Sequence, residues 1–197
     1  MEIKTVTVHG FCRVGQVIRT HRLVLRQWRQ TDRDRFAKMN ADPKVMEFFP
    51  STLTRQESDV VFDRIQQHFQ EHGFGMWAVE IPQEAVFIGF IGLAVPRFNA
   101  HFTPCVEIGW RLASEYWGHG YATEGAAAVL NYGFQELGLQ EIVSFTSKIN
   151  HRSQLVMERI GMKHCETEDF DHPALPTSHP LARHVLCRKS ASRGQRP

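Results

Sequence analysis

The sequence predicts a single α/β domain with a mixed central sheet of about seven strands and four helices. The first observation is the order of the predicted elements, which runs strand, two helices, three strands, helix, strand, helix, two strands. The second is the close spacing of the three middle strands, which is typical of an antiparallel meander. The third is a strand that leads through a glycine-bearing turn into an amphipathic helix, within residues 105–137.

The ends of the chain differ in composition from its centre. Residues 1–20 have alternating apolar character and are interpreted either as an added hairpin or as a loosely attached extension. Residues 190–197 are polar and contain glycine and proline, so they predict a disordered tail. The predicted domain therefore covers residues 21–189.

The first strand is predicted within residues 20–28, where leucines alternate with polar neighbours. A helix follows over residues 31–40, with Thr31 and Asp34 in the arrangement of a capping box. Pro43 ends this helix, because proline lacks the N–H donor and restricts the preceding residue.

A short helix is predicted through residues 45–48, before Pro50. The second long helix begins at Thr54, which forms a capping box with Glu57. Its apolar stripe continues until Gly73, a typical helix end.

Three strands are then predicted at residues 75–81, 86–95 and 105–112. The middle one is apolar on both faces, which predicts a central position in the sheet. The third helix covers residues 121–137 and ends at Gly138.

The remaining elements alternate again. A strand is predicted at residues 141–148, a helix at 151–160 and a strand at 162–167. Residues 169–181 are rich in proline, histidine and aspartate and predict a loop, and the last strand covers 183–188.

Composition excludes several classes of protein. The net charge is only +2 and no dense Lys/Arg cluster occurs, which argues against a nucleic-acid partner. The longest apolar run, residues 85–95, is too short to span a bilayer, and the N-terminus lacks a secretion segment. The four cysteines form no Cys-x-x-Cys pair, which indicates reduced thiols in a cytoplasmic protein: Cys12, Cys105, Cys165 and Cys187.

Residues 117–124 read Trp-Gly-His-Gly-Tyr-Ala-Thr-Glu and join the strand to the third helix. The first N–H groups of a helix have no intrahelical partners, and glycine lets a phosphate approach the backbone closely. The turn therefore predicts an anion site, although two glycines alone also fit a simple tight turn.

This stretch resembles motif A of the GCN5-related N-acetyltransferase (GNAT) family, Gln/Arg-x-x-Gly-x-Gly/Ala. Its residues 117–124 are also similar to those of the RimJ/RimL-type branch, which acetylates the N-termini of ribosomal proteins. The resemblance implies the GNAT acyl-CoA N-acyltransferase fold, with acetyl-CoA as acetyl donor. The family's Gln/Arg position is Glu115 here, which would weaken a pyrophosphate site if its side chain points inward. The implied cofactor-binding residues are Trp110, Arg111, Leu112, Trp117, Gly118, His119, Gly120, Tyr121, Ala122, Thr123 and Asn150.

Acetyl transfer to an amine needs a proton acceptor, because a free amine is mostly protonated at neutral pH. Glu107 lies in an otherwise apolar strand and is the preferred base; family members often carry a Glu here. The alternative is an ordinary outward-facing residue. Weaker candidates for the base are Asp42, Glu47 and His101.

The run from Asn150 to Met162 resembles the family's motif B. Many members place a tyrosine at the position of Met157 to protonate the leaving thiolate. In the ribosomal-protein branch a serine has this role, and Ser153 matches it. A surface serine, with a thiolate that leaves without a dedicated acid, is the alternative, and Asn150 can equally be a helix cap.

The sequence thus predicts an enzyme that moves an acetyl group from acetyl-CoA to a primary amine by direct attack in a ternary complex. The acceptor is a protein N-terminus or a small molecule, with Phe48 and Phe49 as candidate walls of its site. No metal is expected, because His68 and His72 lack a third ligand. A homodimer is left open.

Two other functions compete. A CoA-binding sensor without catalysis is compatible with Met157 and Glu115. A nucleotide-binding protein is disfavoured, because the sequence lacks both a P-loop and a full Gly-x-Gly-x-x-Gly motif.

Overall fold

The computed structural model of the protein describes residues 16–192. The expectations for residues 1–15, including Cys12, and for residues 193–197 lie outside the described residues. Nine strands form one sheet in the order β1-β2-β3-β4-β5-β6-β9-β7, with β8 also paired to β9. The strands are β1 (Ile18–Arg19), β2 (Val24–Arg26), β3 (Met76–Ile81), β4 (Ala85–Ala94), β5 (Glu107–Leu112), β6 (Glu141–Ser147), β7 (Lys163–His164), β8 (Phe170–Asp171) and β9 (Arg183–Ser190).

Four α-helices cover the sheet, as predicted. They are α1 (Arg33–Asn40), α2 (Arg55–His72), α3 (Tyr121–Gln135) and α4 (His151–Arg159). No helix among residues 16–192 is long and apolar enough to cross a membrane. The α/β class is confirmed, and the strand count exceeds seven because β1 and β8 are two-residue strands too short to leave a period in the sequence.

The helices pack on opposite faces of the sheet. On one face, the Trp28 ring lies 5.0 Å from Phe36 of α1 and 5.2 Å from Phe62 of α2. On the other face, Gly125 of α3 lies against Ile91 of β4, where an added Cβ would come within 2.4 Å of the Ile91 side chain. Because β4 serves both layers, its residues are buried on both faces, as its continuous apolar run predicted.

The sequence gives α2 its ends. The Thr54 hydroxyl accepts from the Glu57 amide while the Glu57 carboxylate accepts from the Thr54 amide. Gly73 follows with a φ of 76°, which glycine adopts without steric cost. The predicted capping box and stop signal are thus both present.

Three local predictions are wrong. Residues 45–48 form turns rather than a short helix, because Pro43 and Pro50 leave too few residues to nucleate one. The Thr31–Asp34 capping box is absent: a 3₁₀ turn over Gln30–Asp32 precedes α1, and the Asp32 carboxylate accepts from the Arg29 amide instead.

The third error concerns the strand predicted at residues 162–167. It shortens to Lys163–His164 and is followed by a 3₁₀ turn over Glu166–Glu168. The predicted loop that follows begins with Phe170–Asp171, which pairs with β9. Apolar and polar residues do not alternate clearly in this exposed segment. Its strand pairing therefore depends on hydrogen bonds to β9 and not on a local sequence pattern.

The ends of the described chain are tied to the domain. Residues 18–19 pair with β2, and the carbonyl of Gln16 accepts from the Trp77 indole at 3.2 Å. At the other end, β9 includes Ser190, and the Ala191 amide donates to the Gln140 carbonyl.

The two central parallel strands separate along their length. β5 and β6 are aligned at a single pair, Glu107 with Val143, whereas β5 pairs with β4 along all six of its residues. The Ser144 hydroxyl donates to the Ile108 carbonyl at 2.9 Å, just beyond that pair. Among the described residues, no strand pairs with the β6 side of residues 109–112, so a wedge opens in the middle of the sheet.

Candidate active site

A cavity of about 760 Å³ occupies this wedge. It extends from the N-terminus of α3, between β5 and β6, to the segment before α2. Of the predicted site residues, only His119 does not line it. Its walls include Phe48, Phe49, Glu107, Trp110, Arg111, Leu112, Trp117, Gly118, Gly120, Tyr121, Ala122, Thr123, Asn150 and Ser153.

One end of the cavity is the glycine turn. Gly118 and Gly120 have φ values of 83° and 81°, and a Cβ on Gly118 would meet no atom within 4 Å. The helix that follows has no side-chain cap, in contrast to α2 and α4, which Thr54 and Asn150 cap. The first amides of α3 therefore remain available to an anion.

A contact from the first strand region holds this turn in place. The Arg22 guanidinium donates to the His119 carbonyl at 2.9 Å and to the Glu124 carboxylate at 2.7 Å. Thr20 also donates to Glu124, at 2.6 Å. Glu124 would otherwise place a negative charge in the first turn of α3, close to any bound anion, and Arg22 offsets it. Sequence reasoning missed this pair, since the two residues are far apart in the chain.

Glu115, which occupies the family's Gln/Arg position, is exposed and does not line the cavity. Its carboxylate therefore does not point into the cavity, and we do not expect it to weaken an anion site there.

The middle of the cavity runs along the open side of β5. The Trp117 indole donates to the Leu112 carbonyl at 2.8 Å and so closes the end of this strand. Polar main-chain groups on the unpaired side face the cavity, which suits an extended ligand that carries amide groups. Trp110, Arg111 and Leu112 all lie on this stretch, as the resemblance implied.

Glu107 stands at the point where β5 and β6 begin to separate. Its side chain is half-buried in the cavity wall, and no described residue hydrogen-bonds to its carboxylate. Burial raises the pKa of Glu107 to about 8. A carboxyl group that titrates near neutral pH suits general base catalysis.

The weaker candidates for the base lie elsewhere. Asp42 accepts from the Lys44 amide and the Ser114 hydroxyl, and these bonds lower its pKa. Glu47 forms an ion pair with Arg152, and His101 is exposed. None of the three lines the cavity.

The start of α4 forms another wall. The Asn150 side chain accepts from the Ser153 amide at 3.2 Å and donates to the Thr146 hydroxyl at 3.0 Å, so it caps the helix and also faces the cavity. Ser153 is half-buried in the wall. Met157, one turn further along, is fully buried and also borders the cavity, where it offers no proton.

The segment before α2, at residues 48–50, forms a further wall of the cavity. Phe49 stacks on the Arg111 guanidinium at 4.1 Å, and Phe48 lies 5.3 Å from that of Arg152. Arg152 also lies 4.6 Å from the Trp117 ring, so this segment, α4 and the glycine turn meet across the cavity.

Several further side chains line the cavity, and no local motif identified Tyr116 among them. The Arg111 side chain, Tyr116, His172 and His184 all face the cavity. The imidazoles of His172 and His184 are 5.1 Å apart, and burial lowers the pKa of both. They come from the predicted loop at residues 169–181 and from β9, and the pairing of the two imidazoles appears only in the folded chain.

The remaining histidine pair has a structural explanation. His68 is buried between the Phe74 carbonyl and the Val95 amide, at 2.9 and 3.0 Å, and burial lowers its pKa to about 4. Within residues 16–192, no three metal-ligating side chains form a group that could hold an ion.

The comparisons with known proteins agree with this geometry. Residues 22–163 match the family model of the acetyltransferase (GNAT) domain. An FsC-acetyl coenzyme A-N(2)-transacetylase of Aspergillus fumigatus is 32% identical over 189 residues, which cover 91% of this chain and 80% of that protein.

Solved structures share the fold. An acetyltransferase from Agrobacterium tumefaciens superimposes with a TM-score of 0.71 at 27% identity, covering 89% of this chain and 95% of that one. Mycobacterium smegmatis RimJ in complex with CoA-disulfide superimposes with a TM-score of 0.69 at 17% identity, covering 90% and 87%. The family match, together with the glycine turn and the open wedge, shows that this chain belongs to the GNAT acetyltransferase family.

Proposed function

We propose that the protein transfers the acetyl group of acetyl-CoA directly to a primary amine, with Glu107 as the proton acceptor. Membership of the GNAT family establishes the acetyl-CoA-dependent transferase. The observation that supports this mechanism is the position of Glu107, whose unpaired carboxyl group lies in the cavity wall where the two strands separate.

The residues of the cavity fit acetyl-CoA. The uncapped amides of α3 and the turn at Gly118 and Gly120 would hold its pyrophosphate. The unpaired side of β5 would hold the amide groups of the pantetheine arm. Acetyl-CoA would supply an activated acetyl group as a thioester, and the cavity wall at Glu107 would receive the end of its pantetheine arm.

The protein's own groups handle the protons. An incoming ammonium must lose a proton before its nitrogen can attack, and the Glu107 carboxylate accepts it. The Ser153 hydroxyl would donate a proton to the departing sulfur, and its position in the cavity wall supports this role. Because Met157 cannot donate a proton, Ser153 and solvent are the remaining donors on this wall.

The acceptor is a peptide N-terminus or a small-molecule amine. Phe48 and Phe49, which line the cavity, would flank it. The name of the Aspergillus relative places its acetyl transfer on an N(2) nitrogen, which supports an amine acceptor here too.

The test is calorimetric titration with acetyl-CoA, followed by a free-thiol release assay over a panel of amines and N-terminal peptides. Binding with amine-dependent thiol release is expected. Binding without release on any amine would contradict the transfer and favour a CoA sensor. Absence of binding would contradict the cofactor assignment itself.

A further inference from the structure

We propose that the acceptor amine carries a carboxylate and that the side chain of Arg111 binds it. This inference rests on the proposed acetyl transfer and adds the chemical class of the acceptor. The observation behind it is a guanidinium that faces the cavity without a carboxylate partner among the described residues.

The bonding of Arg111 is incomplete. Its Nη1 donates to the Asn40 side-chain oxygen at 2.7 Å, whereas its Nε is buried without a hydrogen-bond partner in the described part of the chain. The rings of Phe49 and Phe90 lie 4.1 and 5.4 Å from its guanidinium carbon. These contacts are attractive, but none of them neutralises the charge.

A second buried arginine shows what a structural role requires. Arg26 donates two bonds to the Asp32 carboxylate, at 2.7 and 2.9 Å, and a third to Glu80 at 2.6 Å. Arg111 has no such partner, although a buried charge without a counter-ion destabilises the fold by several kcal/mol. Burial lowers the pKa of Arg111 only to about 10, so it stays charged at neutral pH. A ligand carboxylate would supply the missing partner through paired N–H bonds.

The guanidinium is held in position before any ligand arrives. Asn40 is fully buried, and its side-chain amide donates to the Ser58 hydroxyl at 2.9 Å. Its main-chain carbonyl accepts from the Leu53 amide at 2.9 Å. The Asn40 side-chain oxygen is therefore directed at Arg111, which favours a fixed binding geometry.

The position of Arg111 favours the acceptor over the donor as its ligand. In the proposed complex the phosphates of acetyl-CoA lie at α3, where open amides receive them. Arg111 and Glu107 instead share one face of β5, because residues of a strand alternate between its two faces. Gly109 lies between them without a side chain, and the end of the flexible Met76 side chain covers it, 3.2 Å from where a Cβ would be.

The same geometry sets the length of the acceptor. Glu107 and Arg111 are four residues apart, which is about 13 Å along a strand before the side chains lean towards each other. Burial is the cause of the pKa shift of both groups, and no hydrogen bond or ion pair joins their side chains in the described structure. An acceptor whose amine lies at Glu107 therefore carries its carboxylate several bonds away.

The first test uses the unmodified protein and thiol release with linear ω-amino carboxylates, from glycine to 8-aminooctanoate, and with the matching ω-amino carboxamides. We expect kcat/KM for the carboxylate to exceed that for its amide by at least about 30-fold at the best chain length, as for a buried charge pair. The best length is expected well beyond glycine. Equal rates for acids and amides would overturn this inference and leave the proposed acetyl transfer intact. If no amine caused thiol release, both the transfer and this inference would be contradicted.

The second test compares Arg111→Met with Arg97→Met. Arg97 is an exposed arginine that pairs with Glu71 outside the cavity, so it gives the same loss of charge elsewhere. Arg111→Met is expected to remove the preference for acids, because it deletes the guanidinium and keeps the main chain of β5 that would contact acetyl-CoA. Arg97→Met is expected to keep the preference. An Arg111→Met protein that loses acetyl-CoA binding while retaining the acid preference would assign the guanidinium to the donor and overturn the proposal.

Discussion

At the scale of single residues, the proposed chemistry depends on two ionisable groups that have no oppositely charged partner among the described residues. Glu107 and Arg111 lie on the same strand, and both face the cavity. Elsewhere in the described chain, buried charges are paired, as in the contact of Arg26 with Asp32. An unpaired group in a cavity wall is available to a ligand or to a proton, whereas a paired one is already occupied.

Replacement of the carboxylate tests its role as a base. Glu107→Gln keeps the shape of the side chain and removes the proton acceptor, so kcat is expected to fall by about 10²–10⁴. Affinity for acetyl-CoA, measured by calorimetry, should not change. Glu84→Gln makes the same change at an exposed turn and should behave like the unmodified protein. An unchanged kcat in Glu107→Gln would remove this residue from the mechanism.

The pH dependence follows from the same group. Burial raises the pKa of Glu107 from 4.5 to about 8, so the contribution of this group to kcat/KM should rise with pH and level off above about 8. The amine also becomes more reactive with pH, and Glu107→Gln isolates that contribution because it retains only the rise due to the amine. A profile with the same inflection near pH 8 in both proteins would contradict the assignment.

The same shift predicts an effect on stability of defined sign. Between pH 4.5 and 8 the folded state holds a proton that the unfolded state has lost. The contribution of Glu107 to the free energy of unfolding therefore falls as pH rises through this window. Thermal melts at pH 5 and pH 8 should show a smaller decrease for Glu107→Gln than for the unmodified protein.

At the scale of elements, the cofactor end depends on one helix that begins without a cap. α2 and α4 satisfy their first amides with Thr54 and Asn150, and α3 does not. The Arg22–Glu124 pair and the Trp117 indole hold the turn instead, from outside the helix. An element that is incomplete by itself is thus held in the conformation that the proposed anion site requires.

Gly120→Val tests this element. Gly120 has a φ of 81°, and a Cβ there would come within 3.4 Å of the Arg22 guanidinium, so the turn must distort. Affinity for acetyl-CoA is expected to fall at least about tenfold, which equals 1.4 kcal/mol. The matched control is Gly138→Val, at a φ of 65° in open space after α3, where similar backbone strain should reduce thermal stability without loss of binding. Intact affinity in Gly120→Val would contradict the phosphate-binding role of the turn.

At the scale of the whole molecule, the wedge exists because the rest of the sheet is held firmly. β5 pairs with β4 along its length, and β6 pairs with β9 along its length. The aromatic cluster around Trp28 fixes α1 and α2 on the acceptor side. With both flanks fixed, the strands can separate in the middle without loss of the fold.

The Arg26 network supports this frame from a distance. Asp32→Ala leaves a buried guanidinium with one carboxylate fewer, and is expected to lower the free energy of unfolding by about 3 kcal/mol. Urea titration measures this value. Asp34→Ala, at an exposed carboxylate, should leave stability nearly unchanged. Both variants should bind acetyl-CoA like the unmodified protein when folded. If Asp32→Ala lowered the free energy of unfolding only slightly, the network would be dispensable for stability.

The sequence by itself determined the α/β class, the order of the long helices and strands, the glycine turn and the family. These features are local, because an apolar period, a helix cap or a turn glycine depends on only a few neighbouring residues. Reliance on local patterns also explains the wrong predictions. Thr31 and Asp34 match a capping box in the sequence, but in the structure the Arg26 guanidinium and the Arg29 amide both donate to Asp32 instead.

Tertiary structure alone decided what the cavity contains. That β5 and β6 separate after Glu107, that Glu115 points away, and that Arg111 faces the cavity without a carboxylate all depend on contacts between distant segments. Periodicity assigns a residue to one face of its strand but cannot tell what lies opposite. The chemistry of a site depends on that opposite surface, so its charge balance appears only when the chain is folded.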